Sequence, residues 1–360
     1  SQSTAVAPRI RSSLKLTPCA LRFAAAIADP FSIAAQGACI PSSPAINSQK
    51  VHAYSRFDAT VGTNGVGVIS ITPCIANDGV LAYITGATFA GASTALFTAN
   101  NTLAVGVQRV VPSNLPYSTA NCIAPDGTKV PQVNARIVSV GVRLWYTGTT
   151  LNESGLTYCY VSPNHDPVNY TTGAGYTSQT IASLAAYEQT EISPLTRNQC
   201  SMTMFPVTRS EMEYASILTP AAYSENAAAS YQLYPYSGGF LVISGGYTDT
   251  ITSNYVGAPT GLIMFTGTAG NTVHVEIIQH IEYTGILTAG RTTVDTADEE
   301  GASQVMAAAQ IMQMNATNYS GQVKKPTMWS MMHSALAEVG SMAVKVAVPA
   351  AEKALAALLL

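Results

Sequence analysis

The chain has 360 residues, of which 47% are hydrophobic and only 10% charged, and its net charge is −3. Soluble domains usually carry charge on about a quarter of their residues, so a chain this poor in charge predicts a surface covered by something else, most simply by further copies of itself. A protein that is basic throughout is excluded, and any contact with a polyanion must come from a local cluster.

The cations are uneven. Arg9, Arg11, Lys15 and Arg22 lie near the start, Lys324, Lys325, Lys345 and Lys353 near the end, and residues 210–290 hold no Lys or Arg. Basic ends around a near-neutral middle fit tails that face a polyanion, although charge alone fits solvated tails as well. The six cysteines are spread singly, without C-x-x-C spacing or a pairing with His, and read as free, mostly buried thiols of a reducing compartment. The sequence shows no apolar signal core and no apolar run of about 18 residues. The sequons beginning at Asn100, Asn152, Asn169, Asn315 and Asn318 therefore read as unused.

In chain order, residues 1–48 mix Ser, Pro, Ala and scattered cations and read as an arm. It holds one short helix, Leu21–Ala28, ended by Asp29-Pro30 because the residue before a proline is pushed out of helical geometry. From about His52 to Gly285 short β-branched and aromatic runs are broken by Gly, Pro, Asn and Asp, the pattern of a β-sandwich. In residues 137–146, Val138, Val140, Val142, Leu144 and Tyr146 alternate with Ser139, Gly141 and Arg143, which predicts a half-buried strand. In residues 272–283, Val273, Val275, Ile277, Ile281 and Tyr283 alternate with His274, Glu276, His280 and Glu282, which predicts a second strand with one polar face. Shorter runs at Val66–Ile71, Val80–Ile84, Leu156–Val161, Phe240–Ile243 and Gly261–Phe265 bring the count near eight. The fold expected over residues 49–290 is an all-β, eight-stranded antiparallel jelly-roll sandwich.

Residues 291–360 read as a tail of C-terminal amphipathic helices. Asp295, Asp298, Glu299 and Glu300 sit at the positive end of a helix running to about Met314. A second helix, Met328 to about Val346, carries Trp329, Met332, Leu336, Val339 and Val346 as an apolar stripe. Pro349 interrupts, and Ala350–Leu360 is a last apolar piece. The stripe predicts a face that packs in a bundle or lies on a membrane.

Motifs of catalysis are missing: no G-x-S-x-G, no P-loop and no H-E-x-x-H occur. Gly62–Gly67 reads as a turn between strands rather than a phosphate loop, and His165-Asp166 as part of a Pro-bounded loop rather than of a hydrolytic triad. His274 and His280 share a strand face without a third ligand, so a structural or solvent-facing role is expected. Ca²⁺ at subunit interfaces is the one metal considered, with Asp295 and Asp298 as ligands, against their plainer use as favourable charges at a helix start.

Val138-Ser-Val-Gly-Val-Arg-Leu-Trp-Tyr146 with the turn to Gly155, then Tyr158-Cys-Tyr-Val-Ser-Pro-Asn-His165, resembles the central strand pair of noda-like, sobemo-like and tombus-like coat proteins. Residues 205–213, 234–239 and 276–285 continue the likeness, which spans about Cys19 to Gly285 and is nearest to coat proteins of dinoflagellate-infecting RNA viruses of the dinornavirus kind. The resemblance implies one jelly-roll shell domain and self-association into a T=3-type icosahedral capsid around single-stranded genomic RNA. It also implies assembly in the host cytoplasm, residence in the virion and no protruding domain. Arg9, Arg11, Lys15 and Arg22 would then contact RNA, an unidentified host surface receptor would meet short loops, and the Trp329–Val346 face would pack inside the shell or touch the host membrane transiently.

A finer likeness concerns maturation. Residues 19–29 resemble the stretch that in insect nodaviruses holds an Asp assisting self-cleavage at an Asn-Ala bond, and Thr327-Met-Trp-Ser330 resembles the start of the peptide released. That makes Asp29 and Asn315 the cleavage candidates, but Pro326 stands where Asn or Ala is expected and Asn315-Ala316 lies about a helix length upstream, so no cleavage is expected. A lectin-like or host-adhesion jelly roll is the rival reading; it predicts a secretion signal and disulfides. A hydrolase using His165 would need a nucleophile motif that is missing.

Overall fold

The computed structural model describes residues 16–41, 47–62, 65–72, 75, 80–85, 107–110, 115–117, 133–161, 182, 185–187, 190–207, 209–216, 231–236, 239–244, 261–285, 293–294, 298–318, 331–332 and 334–338. His165 and residues 350–360 lie outside them.

The eight strands of the sandwich, in chain order, are β1 (Asn47–Thr60), β2 (Val66–Thr72), β5 (Asn134–Tyr146), β6 (Leu156–Val161), β7 (Glu191–Pro194), β8 (Cys200–Met204), β12 (Gly261–Thr266) and β13 (Thr272–Thr284). They pair antiparallel, the first with the last, the second with the seventh, the third with the sixth and the fourth with the fifth. That nesting is one long hairpin rolled over on itself, the jelly roll expected from the sequence. Rolling adds the pairs β13–β5 and β12–β6 and gives two sheets, β1-β13-β5-β8 and β2-β12-β6-β7.

Additional strands extend both sheets. β14 (Thr293–Val294) and β9 (Ala215–Ser216) join the first, and β3 (Val80–Thr85) and β4 (Val107–Val110) extend the second beyond β2. A separate hairpin pairs β10 (Tyr231–Tyr236) with β11 (Gly239–Ser244). Two of the runs expected among the eight, at β3 and β11, are therefore accessory, whereas β1, β7 and β8 were not among the expected runs. β1 opens on the polar Asn47-Ser-Gln-Lys50 before Val51, Ala53, Phe57 and Ala59 alternate with polar residues, and β7 and β8 have only 4 and 5 residues.

The core between the sheets is built from the alternating residues of β5 and β13, among them Val140, Val142, Leu144, Tyr146, Val273, Val275, Ile277 and Ile281, closed by Ile69, Ile263 and Phe265 from the second sheet. One residue departs from the expected face. Between the pairs Ile281–Ile137 and His280–Ser139, Val138 has no partner, a β-bulge that shifts the register. Ile137 takes the core position and Val138 turns to the opposite side of the sheet.

On that opposite side the polar face expected of β13 is open to solvent over only part of its length. Ile278, His280 and Glu282 are buried beside a helical layer, the last two meeting Pro30 and Ile40 of the chain that follows its first helix. The layer starts with α1 (Pro18–Ala28), capped by Thr17, whose Oγ1 accepts from Ala20 N at 3.2 Å, and it includes α2 (Glu299–Asn318) from the far end of the chain. Residues 331–332 and 334–338 add a further helical turn. Phe23, Ile27, Val138, Phe205, Val305, Ala308, Met332 and Leu336 form this second core.

The cysteine reading needs a correction. Cys19 and Cys39 are joined as a disulfide with their Cα atoms 5.6 Å apart, because the turn following α1 brings the chain back across the start of the helix. Cys159 and Cys200 are thiols outside any disulfide, as expected. Gly62–Gly65 forms the expected turn: Gly65 N donates to Gly62 O at 2.8 Å, and its φ of 76° is one that a side chain disfavours.

Candidate functional site

Two surfaces of the first sheet can meet a partner: the helical layer made by both chain ends, and the part of the sheet that the layer leaves open. The open part carries His52, Tyr54, Arg56 and Asp58 from β1 beside Glu276 and His274 from β13 and Arg143 and Trp145 from β5. Its charges are matched within the face. Asp58 meets His274 Nδ1 at 2.6 Å, and Trp145 lies against the same imidazole with centroids 4.7 Å apart. Tyr54 donates to Glu276 Oε1 at 2.5 Å, and its phenol is pushed up to about 12 by partial burial and then by that carboxylate. A surface so balanced offers no excess positive field to a polyanion. The alternation of His52, Tyr54, Arg56 and Asp58 with Val51, Ala53, Phe57 and Ala59 along β1 was the available signal for it.

The arm joins the helical layer to this open face. Asp29, the cleavage candidate, caps the end of α1: its backbone N donates to Ala25 O at 2.8 Å, and its carboxylate accepts from Phe31 N and from Arg143 Nη2, each at 3.1 Å. The Arg143 guanidinium also lies 3.9 Å over the Phe31 ring. His274 is thus hydrogen-bonded to Asp58 on the open face, whereas His280 is buried and donates from Nε2 to Pro30 O at 2.7 Å. Burial lowers its pKa from 6.5, against the raising effect of that hydrogen bond, and nearby His52 lowers it further.

Of the RNA candidates, Arg22 is exposed on α1, and Arg9, Arg11 and Lys15 lie outside the described residues. The Asn315-Ala316 bond sits inside α2, where the backbone is helical on both sides. Asp298 begins that helix. Its Oδ1 accepts from Gly301 N at 2.8 Å and its Oδ2 from Thr17 Oγ1 at 2.5 Å, so one carboxylate ties the N-terminus of α2 to the cap of α1. Asp295 lies outside the described residues, and among those described no group of three metal-ligating side chains occurs. Met332 and Leu336 are buried in the helical layer, with 0% and 8% exposure, while Trp329, Val339 and Val346 lie outside the described residues. No described helix is long and apolar enough to cross a membrane.

No protein-family model matches the chain, and no curated protein matches it. Solved structures do. A chain of the T13 particle of infectious bursal disease virus aligns over 88% of this chain and 96% of its own, with 12% identity and a TM-score of 0.50. T=1 particles derived from the same virus align over 85% and 98%, at 10% identity and a TM-score of 0.48. The semi-empty virus-like particle of the Macrobrachium rosenbergii nodavirus, from the giant freshwater prawn, aligns over 67% and 98%, at 4% identity and a TM-score of 0.28. At an identity of 12% the first of these establishes a common fold: the chain has the jelly-roll architecture found in a subunit of a viral particle.

Proposed function

We propose that the chain is the coat subunit of a small, non-enveloped, positive-strand RNA virus, structural rather than enzymatic, assembling with copies of itself into a T=3-type icosahedral shell around single-stranded RNA. The observation that carries this reading is the placement of two helices from opposite parts of the chain on one side of the first sheet: α1 packs on β5 and α2 packs on α1, the two tied through Thr17 and Asp298. That arrangement gives the sandwich one helical side, which carries the exposed Arg22, and leaves the other surfaces for neighbouring copies. The low charge, the fold and the resemblance of residues 138–165 to noda-like and dinornavirus coat proteins agree with it. Assembly in the host cytoplasm and receptor contact through short surface loops belong to the same proposal. The test is negative-stain microscopy of the purified full chain under assembly conditions. Closed shells are expected; small monodisperse particles at every ionic strength and pH tried overturn the reading and favour a lectin-like module.

A further inference from the structure

Cys159 and Cys200 belong to opposite sheets, the first to β6 and the second to β8. Their Sγ atoms lie 3.3 Å apart across the sandwich, and neither residue is disulfide-bonded. We propose that they form a latent disulfide, open while the chain is in a reducing medium and closed when the folded subunit reaches an oxidising one, where it staples the two sheets together.

Three observations converge on this assignment. A disulfide brings its sulfurs to about 2.05 Å, so closure asks for an approach of about 1.2 Å, within the reach of two side-chain rotations. Cys159 is buried in the core between the sheets and Cys200 is half-buried at its margin, so a small oxidant can reach one sulfur directly and the other only through it. The pair also sits near one edge of the sandwich: β7 and β8 end the two sheets on this side, and the chain crosses between them through residues 195–199.

The chemistry is thiol–disulfide exchange with a low-molecular-weight disulfide such as oxidised glutathione. The Cys200 thiolate attacks one sulfur of the oxidant, forming a mixed disulfide and releasing one thiol. Cys159, after losing its proton to solvent, attacks Cys200 Sγ and displaces the second thiol. Two protein thiols give up two protons and two electrons, and one oxidant molecule becomes two thiols. The order follows from the environment. Cys159 is held well above the usual thiol range by its contact with Cys200 and by burial, so it is the poorer first nucleophile and the resolving one.

The folded full chain is incubated across a series of oxidised-to-reduced glutathione ratios, quenched in acid, alkylated with N-ethylmaleimide and mapped by non-reducing peptide mass spectrometry. A Cys159–Cys200 linked peptide is expected, absent in Cys200→Ser, with a rise in Tm of about 5 °C or more for a bridge closing a loop of this length. Because wild-type protein gives the primary result, a misfolded variant does not obscure it. Recovery of both cysteines as alkylated peptides at every ratio, or of Cys200 held only as a glutathione mixed disulfide, overturns the proposal.

Discussion

Arg136 donates to Glu282 Oε2 from both Nε, at 2.9 Å, and Nη2, at 2.6 Å, with both side chains at most 4% exposed. The pair is held from all sides. Arg136 also donates to Ile40 O at 2.8 Å and Met212 O at 2.9 Å and lies 4.3 Å over the Tyr214 ring, while Glu282 accepts from Ile40 N at 3.3 Å and from Ser48 Oγ. It therefore ties β5 and β13 to the arm at Ile40 and to the turn after β8. Removing Arg136 takes the bidentate partner from a buried carboxylate and leaves it the buried Lys50 at 4.0 Å. Arg136→Met is expected to cost about 3–5 kcal/mol in urea unfolding, and Arg136→Met with Glu282→Leu less, since two apolar groups can replace a buried pair, the remainder being the carboxylate lost to Lys50. Equal losses in the single and double variants would show that packing, not charge, holds this junction.

His280 predicts how the arm responds to acid. Its folded pKa is lowered by burial from 6.5, so the unfolded chain takes up the proton more readily. The contribution of the neutral ring is complete above that value and is lost as pH falls below it towards the folded pKa. The groups around it are Pro30 O, which accepts its proton, and the imidazole of His52, 6.2 Å away, which when charged opposes protonation further. Stability measured by urea unfolding should fall between pH 7 and 5, and His280→Gln should flatten that slope while retaining a donor for Pro30 O. A slope unchanged in the variant would assign the acid response to other groups.

Gly141 makes a third test. It lies on the outer side of β5, and a Cβ there would come within 2.8 Å of Phe31 Cε2 and of Pro30 Cβ. Its value to the fold is therefore contact with the arm, not backbone freedom. Gly141→Val is expected to destabilise by about 1–3 kcal/mol through overpacking and to raise protease cleavage within residues 16–41 while the sandwich persists. Cleavage no faster than in the wild type would mean that the arm is not held through this contact.

What the sequence could disclose follows from which residues carry a period. β5 and β13, of 13 residues each, carry long alternating stretches and were legible. The bulge at Val138 was not, because an extra residue inside an apolar run leaves the composition unchanged while reversing the face. The cover over the polar side of β13 was not legible, because Pro30 and Ile40, which meet His280 and Glu282, lie more than 240 residues away in the chain. The same cause hid the disulfide: Cys19 and Cys39 are 20 residues apart without a motif, and only the turn after α1 makes them neighbours. Asp298 shows the reverse case. Its place at a helix start was readable, its hydrogen bond to Thr17 was not.

The tail helix gives a prediction that separates its two uses. In the folded subunit Met332 and Leu336 pack with Phe23, Ile27 and Val305, so any contact with a membrane requires undocking first. Leu336→Asp places a charge in that cluster and should expose residues 319–360 to protease without unfolding the sandwich. If undocking is the only barrier, the variant chain should leak dye from anionic vesicles at concentrations where the wild type does not. An exposed but inert tail would confine this helix to packing.

RNA contact is testable through its salt dependence. Arg22 is exposed on α1, on the helical side of the sandwich, and Arg9, Arg11 and Lys15 precede it in the chain. Each cation that neutralises a phosphate on single-stranded RNA releases about 0.7 of a counterion, so four of them contribute a slope of about −3 to a plot of log affinity against log salt. Neutralising all four, as Arg9→Gln, Arg11→Gln, Lys15→Gln and Arg22→Gln, should flatten the slope by that amount and lower the ratio of absorbance at 260 to 280 nm in assembled particles. The open face of the first sheet serves as the internal control. Its Arg56 and Arg143 lie among Asp58, Glu276 and Asp29, so Arg56→Gln should leave the slope unchanged. A slope that responds to Arg56 and not to the arm would move the RNA contact from the helical side of the sandwich to the open face.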